Sequence, residues 1–470
     1  MKNLQIGDND LIGNRFNGHD LHKYLLAKNI SSEHIVWTKQ SNDNHTHEIY
    51  LHQRGRDAVR NSITYLENIY GAHSFFHPFS YELLFNPLFL ETDTVHLHLI
   101  HNKFFNINHL PILTKLKPTI WTLHDPWPTT GHCIYSMDCD RWESGCGNCP
   151  DLNIPFALNH DTTALNWEIK KLAIQQSQLD IIVASQWMMD RVNKSPIFNG
   201  KRVHLVPFGL DLTKIKPGDA SAAKAKLNIP VDNVVLAMRT TESPFKGTQF
   251  VVEALKQLET TKNITILTFN TKGLLKDLSS KYHILELGWI HDEDEMIQAY
   301  NAADIFLMPS TAEAFGMMAM ESMACGKPSI VMSGTSLEEV IKPSEGGGIT
   351  VPQGDIAQFT HAIKELSENQ AMREQIGITA RKLAEKHYNI DRYLADILAV
   401  YDTAISNHQS DDSTAFILSQ QSMIAKTFNL TTETPQIIFA KHRWIQLKTF
   451  LKRFKIMNFL YYKIYKRFKS

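Results

Sequence analysis

The chain has 470 residues, 43% hydrophobic and 21% charged, with a formal net charge of −1. That length supports two or three domains with real cores, and the composition is that of an ordinary globular protein, which excludes a disordered or low-complexity class. The neutral total conceals an asymmetry: residues 441–470 carry ten Lys or Arg and no acid, leaving 38 basic against 49 acidic residues elsewhere, a net of −11. A basic tail on a mildly acidic body points to an anionic partner for the tail alone.

The start, "MKNLQIGDND", lacks the apolar stretch of a secretory signal, and no run of eighteen apolar residues occurs. A cytoplasmic chain with no membrane-spanning helix is the expectation. The first strand, "KNLQI", leads into "GDNDLIGNRFNGHDLHKYLL", where Gly13 and Gly18 flank a polar loop ahead of a helix. Asn14 and Arg15 in that loop are candidate ligand contacts. "VHLHLIHN" sets His96 and His98 on one face of a strand, with His101 beyond it. They read as metal ligands or as a half-buried strand face near an acceptor pocket. "PTIWTLHDPW" carries His124 and Asp125 at its carboxyl end, which is where open α/β sheets bind ligands.

Directly behind it, "HDPWPTTGHCIYSMDCDRWESGCGNCP" places Cys133, Cys139, Cys146 and Cys149 within seventeen positions. In a reducing compartment such a cluster binds metal more often than it forms disulfides. A closed structural zinc site is the first reading, with His132 able to replace one cysteine. Packed free thiols and a redox pair are the others.

"LDIIVAS" and "RVHLVPF" continue the strands, and Pro and Gly in residues 206–219 interrupt the pattern. Five more apolar runs follow: "NVVLAMR", "NITILTF", "HILELGW", "DIFLMPS" and "PSIVMSG", with helical stretches between them. This rhythm predicts an α/β chain of two doubly wound, Rossmann-like domains facing a cleft. The predicted boundaries are 1–207, with a Cys-rich insertion at about 126–160, and 208–385. A helix at 386–406 is expected to return toward the first domain, followed by a linker at 407–440. Residues 441–470 read as a basic amphipathic helix. Lys448, Lys452, Lys455 and Lys466 share one face, opposite Leu447, Leu451, Phe454, Tyr461, Tyr465 and Phe468. That pattern suits an anionic membrane surface, with a helix packed on the body and its basic face in solvent as the alternative, rather than nucleic acid.

The richest stretch is "DIFLMPSTAEAFGMMAMESMACGKPSIV". A strand ends at Pro309-Ser310, Glu313 follows in a loop, and a helix starts near Gly316, runs through Glu321 and stops at Gly326. Eight residues separate the two carboxylates, at most roughly 12 Å on a helix, which suits one nucleotide diphosphate sugar. Backbone N–H groups of Phe315, Gly316, Met317 and Met318 would face its diphosphate or sugar hydroxyls. Arg239 and Lys246, in "AMRTTESPFKG" just after another strand, are the cations for a leaving diphosphate. Cys325 reads as a small core residue.

The whole stretch resembles the E-x7-E signature of family-4 retaining glycosyltransferases, which have the GT-B fold. "GLDLTKIKP", "AMRTTESPFKG", "LGWIHDEDEMIQAYNAADIFLMPS" and "SLEEVI" with "GGGITV" extend the resemblance through much of residues 1–405. The cysteine stretch is similar to one in bacterial exopolysaccharide glycosyltransferases of the colanic-acid type. The resemblance implies that Glu313 contacts donor-sugar hydroxyls and Glu321 the ribose. It puts Arg239 and Lys246 on the diphosphate, His124 on the donor sugar and the Gly13 loop near the donor phosphate or acceptor. It further implies retention at the anomeric carbon, with the leaving phosphate helping to take the acceptor proton, and no catalytic metal. Two features depart from the family: Phe208 replaces the usual Asn before Gly209, and the segment from Arg239 to Lys246 is long and contains Pro244.

The expected function is hexosyl transfer from a nucleotide-diphosphate sugar to a lipid-linked saccharide in surface polysaccharide assembly, on the inner face of the cell membrane. The rivals are a nucleotide-sugar epimerase or hydrolase on a similar fold, and a non-catalytic, zinc-bearing membrane adaptor.

Overall fold

The computed structural model describes residues 1–49 and 55–409. Thirteen strands among them form two wholly parallel sheets. The first contains β1 (Lys2–Asn9), β2 (Ser31–Thr38), β3 (Thr46–Glu48), β4 (Thr94–Leu97), β5 (Thr119–Thr122), β6 (Leu179–Val183) and β7 (Arg202–Leu205), in the order β3-β2-β1-β4-β5-β6-β7. The second contains β8 (Val234–Thr240), β9 (Ile264–Asn270), β10 (His283–Gly288), β11 (Ile305–Met308), β12 (Ser329–Met332) and β13 (Gly348–Val351), in the order β10-β9-β8-β11-β12-β13. Parallel strands with both faces covered by helices should be near-continuously apolar. Val234 through Met238 in β8 and Ile264 through Phe269 in β9 are accordingly all buried.

Three of these strands escape a reading by apolar runs. β2 begins with Ser31, Ser32, Glu33 and His34, yet Ser32 and His34 are buried and hydrogen-bonded inside the domain. β3 is a three-residue edge strand, Thr-His-Glu, with no apolar residue. β13 is four residues long and begins with the last of three consecutive glycines.

In a doubly wound sheet the strand order reverses at one point, and the loops that leave the two strands there diverge to opposite faces. The reversal lies between β1 and β4 in the first sheet and between β8 and β11 in the second. The loops after these four strands carry Arg15, His98, Lys246 and Glu313.

The helix Ile390–Asn407 follows the second domain in sequence but packs against β4, β5 and β6 of the first sheet. Its buried Tyr401 hydroxyl accepts a bond from Gln5 Nε2 (3.0 Å) and donates to His96 Nδ1 (2.8 Å). One apolar core runs through Ile182 and Phe208, Phe306 and Phe315, and Tyr393 and Ile397, joining both domains to this helix. Among the described residues no helix is long and apolar enough to cross a membrane. The expected basic helix at 441–470 and nearly all of the expected linker lie outside the described residues.

Candidate functional site

Between the sheets lie two adjoining pockets of about 540 and 690 Å³, which share Phe16, Lys246 and Glu313. Arg239, Ser310, Met317 and Met318 line the first. His124, Asp125, Tyr135 and Phe208 line the second.

Glu313 is held by local backbone and by one cation. Its carboxylate accepts bonds from Lys246 Nζ and, at 3.3 Å, from Ser310 Oγ. Its carbonyl accepts from Ser336 Oγ at 3.0 Å. Lys246 ends the single turn Pro244–Lys246, so Pro244 shapes a compact turn rather than a loose loop. The next residue, Gly247, has φ +71°, and a Cβ there would lie 2.0 Å from the Pro309 carbonyl oxygen. Only glycine lets the Lys246 turn touch the loop that carries Glu313. Arg239 sits one residue from the end of β8 and lines the same pocket.

Glu321 lies on the helix Met317–Ala324, which begins after Gly316 in a left-handed conformation, φ +105°. A Cβ on Gly316 would lie 2.4 Å from Leu337 Cδ2. The Glu321 carboxylate accepts from the Tyr300 hydroxyl at 2.6 Å and from Arg15 Nη1. Arg15 belongs to the first domain, and its Nε also donates to Asp20 at 3.0 Å. The two domains are therefore clasped across the mouth of the cleft. Phe315 turns its ring into the core against Phe208 and Tyr388. Any role for Phe315 in ligand binding falls to its backbone.

His124 lines the second pocket, with its ring stacked on Phe208 at 5.7 Å and 6°. An Asn at position 208 would provide no such platform. Burial pushes the His124 pKa down to about 3, so the ring is neutral, and His98 behind it is held well below its ordinary value for the same reason. The surrounding bonds assign the tautomers. Gln5 Nε2 donates to Asn3 Oδ1 and Tyr401, so Gln5 Oε1 is the acceptor for His98 Nε2–H at 2.9 Å. That leaves His98 Nδ1 bare, accepting from His124 Nε2–H at 3.2 Å. The remaining atom, His124 Nδ1, is then a lone-pair acceptor, and it is buried without a partner in the protein. Asp125 accepts from Trp127 N (2.9 Å) and pairs with His101 (3.1 Å); burial acts against its charge, but His101 and these bonds hold its pKa below the usual value.

The structure thus gathers Glu313, Arg239, Lys246, Met317, Met318 and His124 around one cleft, with Glu321 on the helix that flanks it. Gly13 does not line either pocket; its carbonyl accepts from Phe16 N (2.9 Å) and Asn17 N (3.1 Å) and shapes the turn that delivers Arg15 and Phe16. His96 and His98 are not a half-buried strand face but fully buried, stacked rings with centroids 4.3 Å apart. The four clustered cysteines are free thiols lining a separate small pocket with His132. Among the described residues no group of three His, Cys, Asp or Glu side chains is placed to hold a metal ion. Sequence reasoning missed Tyr300, Phe16 and Tyr135. Tyr135 had one usable signal, its position two residues after Cys133 in the segment that follows His124.

Residues 219–383 match the family Glycosyl transferases group 1. The chain is 23% identical over 402 residues to the Escherichia coli K12 protein described as a colanic acid biosynthesis glycosyl transferase (WcaC), covering 78% of this chain and 90% of that one. It is 25% identical over 227 residues to the D-inositol 3-phosphate glycosyltransferase of Acidothermus cellulolyticus, and there it spans about half of the relative's length, 50%. The solved structure of Anabaena HepE with UDP and glucose superposes with a TM-score of 0.60 at 15% identity, covering 86% of this chain and all of that one. With the E-x7-E loop and helix flanking the strand-order reversal of the second sheet, residues 219–383 carry a group 1 glycosyltransferase domain, and the two facing parallel-sheet domains have the GT-B architecture.

Proposed function

We propose that this chain transfers a hexosyl unit, with retention, from a nucleotide-diphosphate sugar to a lipid-linked saccharide acceptor in surface polysaccharide assembly. The observation that carries this reading is the convergence of Arg239, Lys246 and Glu313 on one pocket at the carboxyl ends of β8 and β11. As the glycosidic bond breaks, negative charge grows on the leaving diphosphate. Two cations fixed beforehand by the fold stabilise it without reorganisation. Arg239 offers a planar fork to the phosphates and Lys246 a point charge. Glu313, beside Lys246, is placed to accept bonds from sugar hydroxyls. Glu321, farther along the helix, is placed for the ribose. His124 lines the adjoining pocket, with its Nδ1 lone pair unpartnered inside the protein. The leaving phosphate helps to take the acceptor proton, and this chemistry asks for no catalytic metal.

The colanic acid relative supports a polysaccharide acceptor, and the HepE complex supports a uridine diphosphate sugar as the first donor to test. A basic, aromatic segment at 441–470 suits docking on an anionic leaflet where such acceptors reside. A thermal-shift screen of UDP- and GDP-sugars names the donor through the ligand that raises the melting temperature. NMR of the product, made with a saccharide acceptor, then reads its anomeric configuration. Turnover of the donor without acceptor to an epimer or free sugar would replace this reading with the epimerase or hydrolase. Polysaccharide assembly that survives Glu313→Ala but is lost on deleting 441–470 would replace it with the adaptor.

A further inference from the structure

Two cations near the cysteine segment have no carboxylate bonded to them. Lys170, on the helix Thr163–Gln175, is fully buried. Its ammonium donates to the carbonyls of Trp127 and Thr130, each at 2.8 Å, and lies 3.5 Å from the Trp127 ring centroid. Arg191, on the helix Gln186–Lys194, stacks 3.9 Å over Trp142 and donates to Thr129 Oγ1 (3.1 Å) and Ser136 Oγ (2.9 Å). Lys170 is thus withdrawn from water without a bonded counter-charge, which disfavours its charged form and lowers its pKa to about 7, while Arg191 is half-buried. The nearest acids, Asp125 for Lys170 and Glu143 for Arg191, act only at a distance; the thiols of Cys133 and Cys146 lie near both cations.

Cys133, Cys139, Cys146 and Cys149 ring one pocket of about 290 Å³, with Gly131 and His132 completing its wall. The backbone coils tightly there: Cys146, Gly147 and Asn148 all have left-handed φ angles of 55°, 91° and 47°. Gly131 N already donates to Cys146 Sγ at 3.2 Å, the kind of bond that steadies a thiolate. As placed, all four cysteines line this pocket, but no three of the side chains are set to hold a metal ion together.

We propose that Cys133, Cys139, Cys146 and Cys149 close on one Zn²⁺ ion as a structural tetrathiolate centre, with Lys170 and Arg191 as its counter-charges. The side chains rotate inward to the usual Zn–S distance of about 2.3 Å. Four S–H bonds break, four S–Zn bonds form, and four protons leave to solvent. The centre then carries a net charge of −2, matched by one ammonium and one guanidinium. Its consequence for the cleft is direct. Ile134 and Tyr135, the two residues after Cys133, line the pocket that Glu313 also lines, and the Tyr135 ring lies 5.9 Å from Phe245 in the Lys246 turn. The metal fixes that wall.

The test uses the full-length chain, purified under reducing conditions, then supplied with one equivalent of Zn²⁺ or Co²⁺. Expected are one zinc per chain by elemental analysis and four thiols that react with a chromogenic disulfide only after a chelator is added. The Co²⁺ form should show the visible bands of a tetrahedral thiolate site. Cys139→Ser and Cys149→Ser should each lose that spectrum, and Cys325→Ser and His132→Gln should keep it. Far-ultraviolet circular dichroism separates loss of metal from loss of fold. Four freely titratable thiols in the presence of added Zn²⁺ overturn the site. A Co²⁺ spectrum unchanged by both Cys139→Ser and Cys149→Ser, or abolished by His132→Gln, overturns the ligand set.

Discussion

Arg15→Ala tests how the cleft admits a nucleotide. In the ligand-free protein both oxygens of Glu321 are engaged, one by Tyr300 at 2.6 Å and one by Arg15. Arg15 reaches across from the first domain, and its side chain is 19% exposed against 12% for Glu321. A ribose diol that binds Glu321 needs one of those oxygens, and Tyr300, buried on the same domain, has nowhere else to turn. Arg15 has: Asp20 holds its Nε at 3.0 Å, and Glu293 lies 3.6 Å from Nη2. With Glu321 on the ribose as proposed, the nucleotide should displace Arg15. A charge-assisted bond between partly buried groups contributes about 1.5–3 kcal/mol, and water at the cleft mouth reduces that to roughly 1–2 kcal/mol. Removing the competitor should tighten UDP binding by about 5- to 30-fold. Isothermal titration of UDP into wild type and Arg15→Ala measures this directly. Weaker UDP binding by Arg15→Ala would refute the competition and make Arg15 a nucleotide contact. An unchanged affinity would show that Glu321 does not hold the ribose.

Lys246→Ala leaves the Glu313 carboxylate with Ser310 alone and removes one cation from the diphosphate pocket; kcat for the donor found in the screen should fall by about 10²- to 10³-fold, and an unchanged kcat refutes its role. Gly247→Ala forces a left-handed alanine against the Pro309 carbonyl and should destabilise the second domain by about 2–4 kcal/mol, read from its thermal melt. The first domain should be acid-labile. His34, His96 and His124 have pKa values pushed down to about 3 by burial, His22 to about 4, and His98 well below the ordinary 6.5. Below pH 6.5 the unfolded chain takes up protons that the folded domain refuses, so stability falls as pH drops through the window from 6.5 to about 3. Each group contributes about 1.4 kcal/mol per pH unit there, and five of them exhaust a typical stability of about 5–15 kcal/mol within about two units, so a pH titration by circular dichroism should show unfolding above pH 4. ¹⁵N-histidine NMR should show His124 protonated at Nε2 and bare at Nδ1 at neutral pH, and Gln5→Leu should release that preference while leaving the ring in place.

The parts of this fold that could be read in advance are those whose chemistry is local. The E-x7-E stretch announces a strand end, a loop and a helix because Pro309, Gly316 and Gly326 punctuate one short segment, and each does the same job in space. The apolar runs of β8 and β9 are legible because both faces of a parallel strand are buried. β2 is not legible, because its Ser32 and His34 are satisfied by partners at His22 and Asn17 that no window around β2 contains. The same limit governs the site. Glu313 and Glu321 can be named from nine residues of sequence, but the groups that occupy them, Lys246 and Arg15, lie 67 and 306 residues away. His124 can be named from the end of β5, but its proton position is decided by Gln5 and by Tyr401 on a helix that follows the second domain. Sequence patterns identify which atoms can react; packing from distant segments decides which of them are free. In this chain the four cysteines invert that rule. Their spacing alone names four candidate ligands, and packing adds the reason to fill them: Lys170, buried with no carboxylate bonded to it, and Arg191, half-buried beside the same segment, are cations that a thiolate centre would balance.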